Sequence, residues 1–118
     1  MFRVVVAGGR DFSDYVLLCE KLDMLLRDKV EVMIISGGAS GADRLGERYA
    51  KARGLALSVQ PADWEKHGRG AGFIRNGEML VECDAVVAFW DGKSRGTAHM
   101  IRETEKSGKP YRVIRYGA

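Results

Sequence analysis

Five short apolar runs, separated by segments of helical or loop character, are the feature that most limits how this chain can fold. The runs lie at residues 2–7, 32–36, 55–59, 84–90 and 111–116. They are too short to be independent helices, and the most regular of them are rich in β-branched residues, as buried strands are. Parallel strands need long crossover connections, which are usually helical, so the alternation predicts a parallel sheet covered on both faces. We therefore predict a small Rossmann-like three-layer α/β sandwich with a five-stranded, mainly parallel sheet.

The segments between the runs predict four helices. Apolar residues at helical spacing follow Ser13, which is the predicted N-cap of the first helix. Gly54 and Gly108 are placed to end the second and fourth helices, Gly54 as a left-handed residue just beyond its helix. The third helix is predicted over residues 73–83. Residues 62–72 are predicted to form a loop, and its unusual length favours a functional role.

Length and composition predict one compact domain spanning residues 1–118, since 46% of the chain is hydrophobic and its length is typical of a single domain. The net charge of +3, from 19 basic and 16 acidic residues, is too small to indicate nucleic acid by itself. No apolar run approaches the roughly 20 residues of a membrane span, and the first residues lack a signal-peptide layout. These features predict a cytoplasmic protein with no membrane partner. Cys19 and Cys83 are predicted to be buried thiols, and no metal site is expected.

The stretch "SGGASGAD" follows the second apolar run directly. Gly37 and Gly38 allow a sharp turn and a close approach of a ligand to the backbone, and Gly41 allows close packing of the next helix. The amides at that helix start favour a phosphate, although this is neither a Walker P-loop nor the usual dinucleotide fingerprint. Ser40 and Asp43 also have the spacing of a capping box, which would satisfy the helix end without a ligand. Because Asp43 would repel a phosphate, an anion is expected to meet the amides and the Ser40 hydroxyl.

The stretch "DGKSRGT" repeats this arrangement after the fourth apolar run. It combines flexible glycines, two cations and hydroxyls at a helix start, which suits an anion. The candidate ligand-binding residues here are Asp91, Ser94, Arg95, Gly96 and Thr97. A solvated turn without function is the open alternative, since Asp-Gly and Ser-rich turns are common.

Ligands of open parallel sheets bind outside the carboxyl ends of the strands, and that rule places both turns on one edge of the molecule. The same edge is predicted to hold Gly8, Gly9, Arg10, Asp11, Asp63, Trp64, Arg69, Arg75 and Asn76. Arginine can grip a phosphate, aspartate can accept from a ribose hydroxyl, and Trp64 could cover a base. The alternatives are that Trp64 anchors its loop and that Asp63 caps it. The mixed charge suits a small phosphorylated, hydroxyl-bearing ligand better than a duplex, which requires a uniformly basic stripe.

Four stretches, "VAGGRDF", "SGGASGADRLGERYAKARG", "ADWEKHGRGAGFIRNGEML" and "DAVVAFWDGKSRGTAHMI", together resemble the YspA-like branch of the SLOG superfamily. The resemblance covers nearly the whole chain. It implies a Rossmann-like fold related to the LOG lysine-decarboxylase-like proteins and to the DNA-processing protein DprA. It also implies binding of a nucleotide or nucleotide-derived ligand by the candidate residues named above other than Asp91, and it adds no cofactor.

The chain departs from LOG-type enzymes, which cleave a base from a nucleoside monophosphate, at one place. Those enzymes carry a Pro-Gly-Gly-x-Gly-Thr turn followed by glutamates. Here the comparable stretch is "KSRGTAHM", with His99 and Met100 where acidic residues would be expected. The resemblance therefore assigns no catalytic residue.

The sequence favours a sensor or binding module for a small nucleotide-derived ligand. One alternative is a hydrolase of a nucleotide's N-glycosidic or phosphate bond, with Asp11, Asp43 or Asp91 as acid or base. A second alternative is single-stranded nucleic-acid binding, in which Trp64 stacks on bases and edge arginines hold the backbone. Assembly as a homodimer is also open.

Overall fold

The computed structural model describes residues 1–117, which form five strands and five α-helices. The strands are β1 (Phe2–Gly8), β2 (Val32–Ser36), β3 (Ala56–Val59), β4 (Ala85–Trp90) and β5 (Tyr111–Arg115). The helices are α1 (Tyr15–Leu26), α2 (Ala42–Arg53), α3 (Trp64–His67), α4 (Ala71–Glu82) and α5 (Arg95–Ser107). The predicted alternation of strands and helices is confirmed.

All five strands join one sheet in the order β3-β2-β1-β4-β5, and every neighbouring pair is parallel. The chain moves outward from β1 to β3, then returns past β1 to begin β4. Strand order therefore reverses between β1 and β4, whose ends meet at the pairing of Gly8 with Phe89. Such a reversal leaves a crevice at the carboxyl edge of the sheet. The Rossmann-like α/β fold is confirmed, with a sheet that is parallel throughout.

Helices cover both faces of the sheet. On one face, α1 and α2 pack against β1, where Leu22 joins the cluster that contains Val6. On the other face, Met79 of α4 and Met100 of α5 pack with Val5. Because successive strand residues point to opposite faces, Val5 and Val6 serve different layers. Burial on both sides explains why the strands appear in the sequence as continuous apolar runs.

A glycine in α2 lets that helix lie close against β1. A Cβ at Gly46 would lie 2.9 Å from the Cγ1 of Val6, so no larger residue fits there without a shift. At the start of α2, the Ala42 amide donates to the Gly9 carbonyl at 3.2 Å. The start of α2 is thereby fixed against the turn that follows β1.

Two predictions about local structure were wrong. The N-cap of α1 is Asp14 rather than Ser13, and its carboxylate accepts from the Leu17 amide at 3.0 Å. The predicted loop over residues 62–72 contains α3, a 3₁₀ turn and the first two residues of α4. Asp63 starts α3 by accepting from the Lys66 amide at 3.1 Å, the capping role given above as its alternative.

Other local predictions are confirmed. Gly54 and Gly108 follow α2 and α5 with φ angles of 65° and 77°, the left-handed conformation expected of glycine at a helix end. Cys83 is a buried free thiol, as predicted, whereas the predicted burial of Cys19 is wrong, since this free thiol is only half-buried. Within residues 1–117, no helix combines the length and the apolar character needed to cross a membrane.

Candidate functional site

A cleft of about 470 Å³ opens at the carboxyl edge of the sheet, where strand order reverses. Turns after β1 and β4 form part of its wall, and the starts of α2, α3, α4 and α5 complete it. The predicted site residues that line it are Gly8, Gly9, Arg10, Asp11, Asp43, Trp64, Arg69, Arg75, Asn76, Asp91, Ser94, Gly96 and Thr97. Most of the predicted edge is thus brought together around one cavity.

The remaining predicted residues lie beside or behind the cleft. Gly37, Gly38 and Ser40 line an adjoining recess of about 350 Å³, which shares Arg10, Trp64 and Arg75 with the cleft. Three predicted residues line neither space: Gly41, Asp63 and Arg95. Lining residues that the sequence did not single out are Ala7, Ala39, Gly72, Phe73, Met79 and Met100.

The turn that follows β1, called the first turn below, is fixed by the segment that follows β5. The Tyr116 hydroxyl donates to Asp11 Oδ1 at 2.6 Å, and burial together with this carboxylate raises the pKa of Tyr116. A Cβ at Gly9 would collide with the same hydroxyl, so a larger residue there would displace the Tyr116 side chain. Arg10 lies next to these residues, exposed and bordering both the cleft and the recess.

The second turn, which follows β2, is occupied by a carboxylate of the protein itself. Asp43 is 5% exposed, and its Oδ2 accepts from the Ala39 amide at 3.3 Å. Burial raises the pKa of Asp43 to about 6, against the opposing effects of that amide and of Arg75. The capping box given above as the alternative to a ligand is wrong, because Gly41 is the N-cap of α2 and no side chain caps the helix. Asp43 turns back toward the glycine turn, where a phosphate had been expected.

Arg75 connects α4 to this turn. Its Nη1 donates to the Gly37 carbonyl at 2.6 Å, and its Nε donates to Asn76 Oδ1 at 3.2 Å. A Cβ at Gly37 would lie 2.5 Å from the same Nη1. Gly37 therefore makes room for Arg75, and the guanidinium predicted to bind phosphate already donates to two protein acceptors. Burial lowers the pKa of Arg75, partly offset by Asp43.

Glu47 is a second buried carboxylate behind the cleft, and sequence reasoning missed it. It is 6% exposed, accepts from Ser36 Oγ at 2.7 Å and pairs with Arg44 Nη1 at 3.3 Å. Its negative charge contributes to raising the pKa of Asp43. The signal was its spacing, since a residue four positions after Asp43 lies on the same face of a helix.

The turn after β4 is also held by its own side chains. Asp91 Oδ1 accepts from the amides of Lys93 and Ser94 at 2.8 and 2.9 Å, and these bonds lower the pKa of Asp91. Ser94 is the N-cap of α5 and accepts from the Thr97 amide at 3.5 Å. A Cβ at Gly96 would meet nothing within 4 Å, so this start of α5 faces open space.

Two exposed aromatic side chains stand at the mouth of the cleft. Trp64 is 52% exposed and Phe73 is 49% exposed. A Cβ at Gly72 would lie 3.6 Å from the Trp64 ring, which places that ring against the start of α4. Sequence reasoning missed Phe73 because an apolar residue in a helix normally packs into the core; its position beside the long loop was the available signal.

His99 lies beneath Phe73, with their rings stacked at a centroid distance of 4.1 Å and an angle of 10°. Its Nδ1 is 3.2 Å from Asn76 Nδ2, and the same amide nitrogen donates to the Gly96 carbonyl at 3.3 Å. Burial lowers the pKa of His99. The histidine that replaces an acidic residue of the LOG pattern therefore supports an aromatic surface. In the described part of the chain, no group of three or more His, Cys, Asp and Glu side chains could hold a metal ion.

Two solved structures share this fold. DprA from Streptococcus pneumoniae has a TM-score of 0.75 and 18% identity, over 98% of this chain and 50% of that protein. DprA from Helicobacter pylori, whose structure is described in terms of a unique single-stranded DNA binding mode, has a TM-score of 0.66 and 19% identity. That match covers 98% of this chain and 66% of the other. The chain spans half the length of the Streptococcus protein, and at these identities the likeness concerns the fold alone.

Sequence comparison gives the family. The model of the family described as YspA, cpYpsA-related SLOG matches residues 2–67, which include β1, the first two turns and α2. The Gene 61 protein of Mycobacterium phage D29 is 40% identical over 124 residues, covering 99% of this chain and 98% of that protein. The chain belongs to the YspA, cpYpsA-related SLOG family.

Proposed function

We propose that residues 1–118 form a single domain that binds a nucleotide or nucleotide-derived phosphorylated ligand, and that it acts as a sensor or binding module. The observation that carries this proposal is the cleft of about 470 Å³ at the point where strand order reverses. Pockets of roughly 300–1,000 Å³ are typical of small-molecule sites, and this reversal is where open α/β sheets bind ligands.

The lining offers a partner for each part of a nucleotide. Arg10 and Arg69 are exposed cations at the cleft, suited to a phosphate. Asp43 is a carboxylate acceptor suited to a hydroxyl or an amine. Trp64 and Phe73 present aromatic surface on which a base could stack. The mixture of charges supports a small ligand over a long polyanion.

Binding is favoured over hydrolysis by how two of the candidate acids are already used. Asp11 accepts from the Tyr116 hydroxyl, and Asp91 accepts from the amides of its own turn. Burial raises the pKa of Asp43 toward the range of a general acid or base, so the hydrolase hypothesis rests on it. Chromatography of nucleotides after long incubation with the protein tests that hypothesis.

Replacing Arg10 by alanine is expected to weaken nucleotide binding by about ten- to a hundredfold. The reason is that a hydrogen bond to a charged phosphate is worth about 1.5–3 kcal/mol. The measurement is isothermal titration with 5′-AMP, GMP, CMP, UMP and ADP-ribose. Arg112→Ala is the matched control, since Arg112 is exposed on β5 and does not line the cleft. Equal losses in the two variants, or no binding to the wild type at millimolar ligand, would count against the proposal.

Single-stranded nucleic-acid binding is the second candidate. It is favoured by the exposed rings of Trp64 and Phe73 beside Arg69, since such proteins combine stacking surfaces with cations. The Helicobacter DprA structure, described in terms of a single-stranded DNA binding mode, adds a fold-level parallel. Anisotropy titrations with a labelled oligothymidine at two salt concentrations test it. This function requires affinity that falls steeply with salt and a loss of about 1–3 kcal/mol in Trp64→Ala.

A further inference from the structure

We propose that the cleft selects ligands with free sugar hydroxyls, a ribonucleotide rather than a deoxyribonucleotide, and that Asp43 is the residue that accepts from those hydroxyls. The inference rests on the proposed function and names the ligand class of the same site.

Asp43 combines burial with access to the cleft. Asp43 is only 5% exposed, yet it lines the cavity from its position at the start of α2. Its Oδ2 accepts from the Ala39 amide at 3.3 Å. An ionised carboxylate has about four acceptor sites, so this donor leaves capacity for a ligand. A buried carboxylate with unused acceptor sites is stabilised by each further hydrogen-bond donor that the ligand supplies.

Electrostatics decide which ligand group can supply that donor. Glu47 lies one turn behind Asp43 on the same helix and brings a second negative charge. Arg75 is the nearby cation, but its guanidinium donates to the Gly37 carbonyl and to Asn76. A phosphate placed here would meet the Asp43 carboxylate, with the charge of Glu47 buried behind it. A sugar hydroxyl donates without bringing a charge, so it fits where the phosphate does not.

The start of α5 is the better place for the phosphate: Asp91 lines it too, but its carboxylate already accepts from the amides of Lys93 and Ser94. The start of α5 carries the hydroxyls of Ser94 and Thr97, and Gly96 leaves that helix end open. Arg10 borders the same cavity from the turn after β1, beside the start of α2, so its side chain would have to reach across the cleft to meet that phosphate. A nucleotide with its phosphate at α5 would present its sugar toward α2, which gives the ligand one orientation in the cleft.

This arrangement discriminates against DNA. An internal deoxynucleotide has no 2′-hydroxyl, and its 3′-oxygen is esterified, so a DNA strand offers Asp43 no sugar donor. The carboxylate would then lose solvent without gaining a partner, which costs affinity. The cleft is expected to prefer mononucleotides and ADP-ribose, whose vicinal hydroxyls are free.

The test compares the sugars of otherwise identical probes. Isothermal titration of the wild type uses 5′-AMP, 2′-deoxy-AMP and 2′,3′-dideoxy-AMP, with the corresponding guanosine and cytidine series. We expect the dideoxy forms to bind about tenfold or more weakly, the usual effect of losing a hydrogen bond to a charged group. In Asp43→Asn the preference should fall to within about twofold. Asp28→Asn removes a carboxylate from the opposite edge of the sheet and should keep the full preference.

The possible outcomes distinguish a failure of this inference from a failure of the proposed function. If ribo and dideoxy forms bind the wild type equally, the inference is wrong while nucleotide binding stands. If Asp43→Asn keeps the preference for ribonucleotides, another residue binds the sugar hydroxyl, and the inference is also wrong. A preference set by the base, with none set by the sugar, would mean that Asp43 accepts from an exocyclic amine instead. If no series binds, the proposed function itself fails. The wild-type comparison needs no variant, so a folding defect in Asp43→Asn cannot obscure the result.

Discussion

Replacing Gly41 by alanine is expected to lower the free energy of unfolding by about 3 kcal/mol or more. Gly41 has φ 76° and ψ −128°, a conformation that is costly for any residue with a side chain. A Cβ there would also lie 2.5 Å from the carbonyl carbon of Arg10, and it would collide with the Gly9 carbonyl oxygen. Both obstacles are backbone atoms of the first turn, which cannot rotate away as a side chain could.

The measurement is urea denaturation of the variant beside Gly54→Ala. Gly54 has a positive φ of 65°, but a Cβ there would meet nothing within 4 Å. Its substitution should therefore cost only the conformational term, about 1–2 kcal/mol. The excess loss in Gly41→Ala then reports the contact between the two turns together with the less favourable ψ angle of Gly41, −128° against 31° at Gly54. Equal losses in the two variants would contradict the close approach of α2 to the first turn.

The same contact links stability to the candidate site. The Ala42 amide donates to the Gly9 carbonyl at 3.2 Å, so the first and second turns are held together at Gly41. Arg10 follows Gly9 directly and Asp43 follows Ala42. A side chain at Gly41 would move two walls of the cleft apart. Ligand affinity should therefore fall under conditions in which Gly41→Ala is still folded. A destabilising substitution far from the cleft would not lower the affinity of the folded protein.

The fold was predictable because its physical signals are local. Strands buried on both faces must be apolar throughout, and the run over β4 shows this as clearly as the run over β2. The glycine turns were predictable for a related reason. Gly54 and Gly108 follow periodic helices and take the left-handed conformation that glycine tolerates best.

The details of the candidate site depended on partners far apart in the sequence. Arg75 was predicted to bind phosphate, but its donor Nη1 is aimed at Gly37, 38 residues away. The capping box failed because Ser40 and Asp43 have the right spacing for either of two arrangements. Only the packing of Gly41 on the first turn decides between them. Spacing alone cannot show where a helix end is pressed against another segment.

Between about pH 3 and pH 7, the wild type is expected to lose about 3 kcal/mol of stability relative to Asp43→Asn. Burial raises the pKa of Asp43 from 3.8 to about 6 in the folded state. In that window the folded protein keeps a proton that the unfolded chain has released. The free energy of unfolding therefore falls as pH rises, and the loss is complete once pH passes the folded-state pKa. A difference of about two pH units between the two pKa values corresponds to about 3 kcal/mol.

Urea titrations of both proteins at several pH values measure this, and the difference between them cancels the groups that they share. Asp28→Asn removes a carboxylate whose side chain is 89% exposed, so its difference from the wild type should stay constant within about 0.5 kcal/mol. If the wild type instead gains stability relative to Asp43→Asn as pH rises, the expected pH dependence has the wrong sign. That result would mean that Arg75 and the Ala39 amide outweigh the burial of the carboxylate and the charge of Glu47. Asp43 would then be fully ionised in the empty cleft, and a ligand hydroxyl would gain less by reaching it.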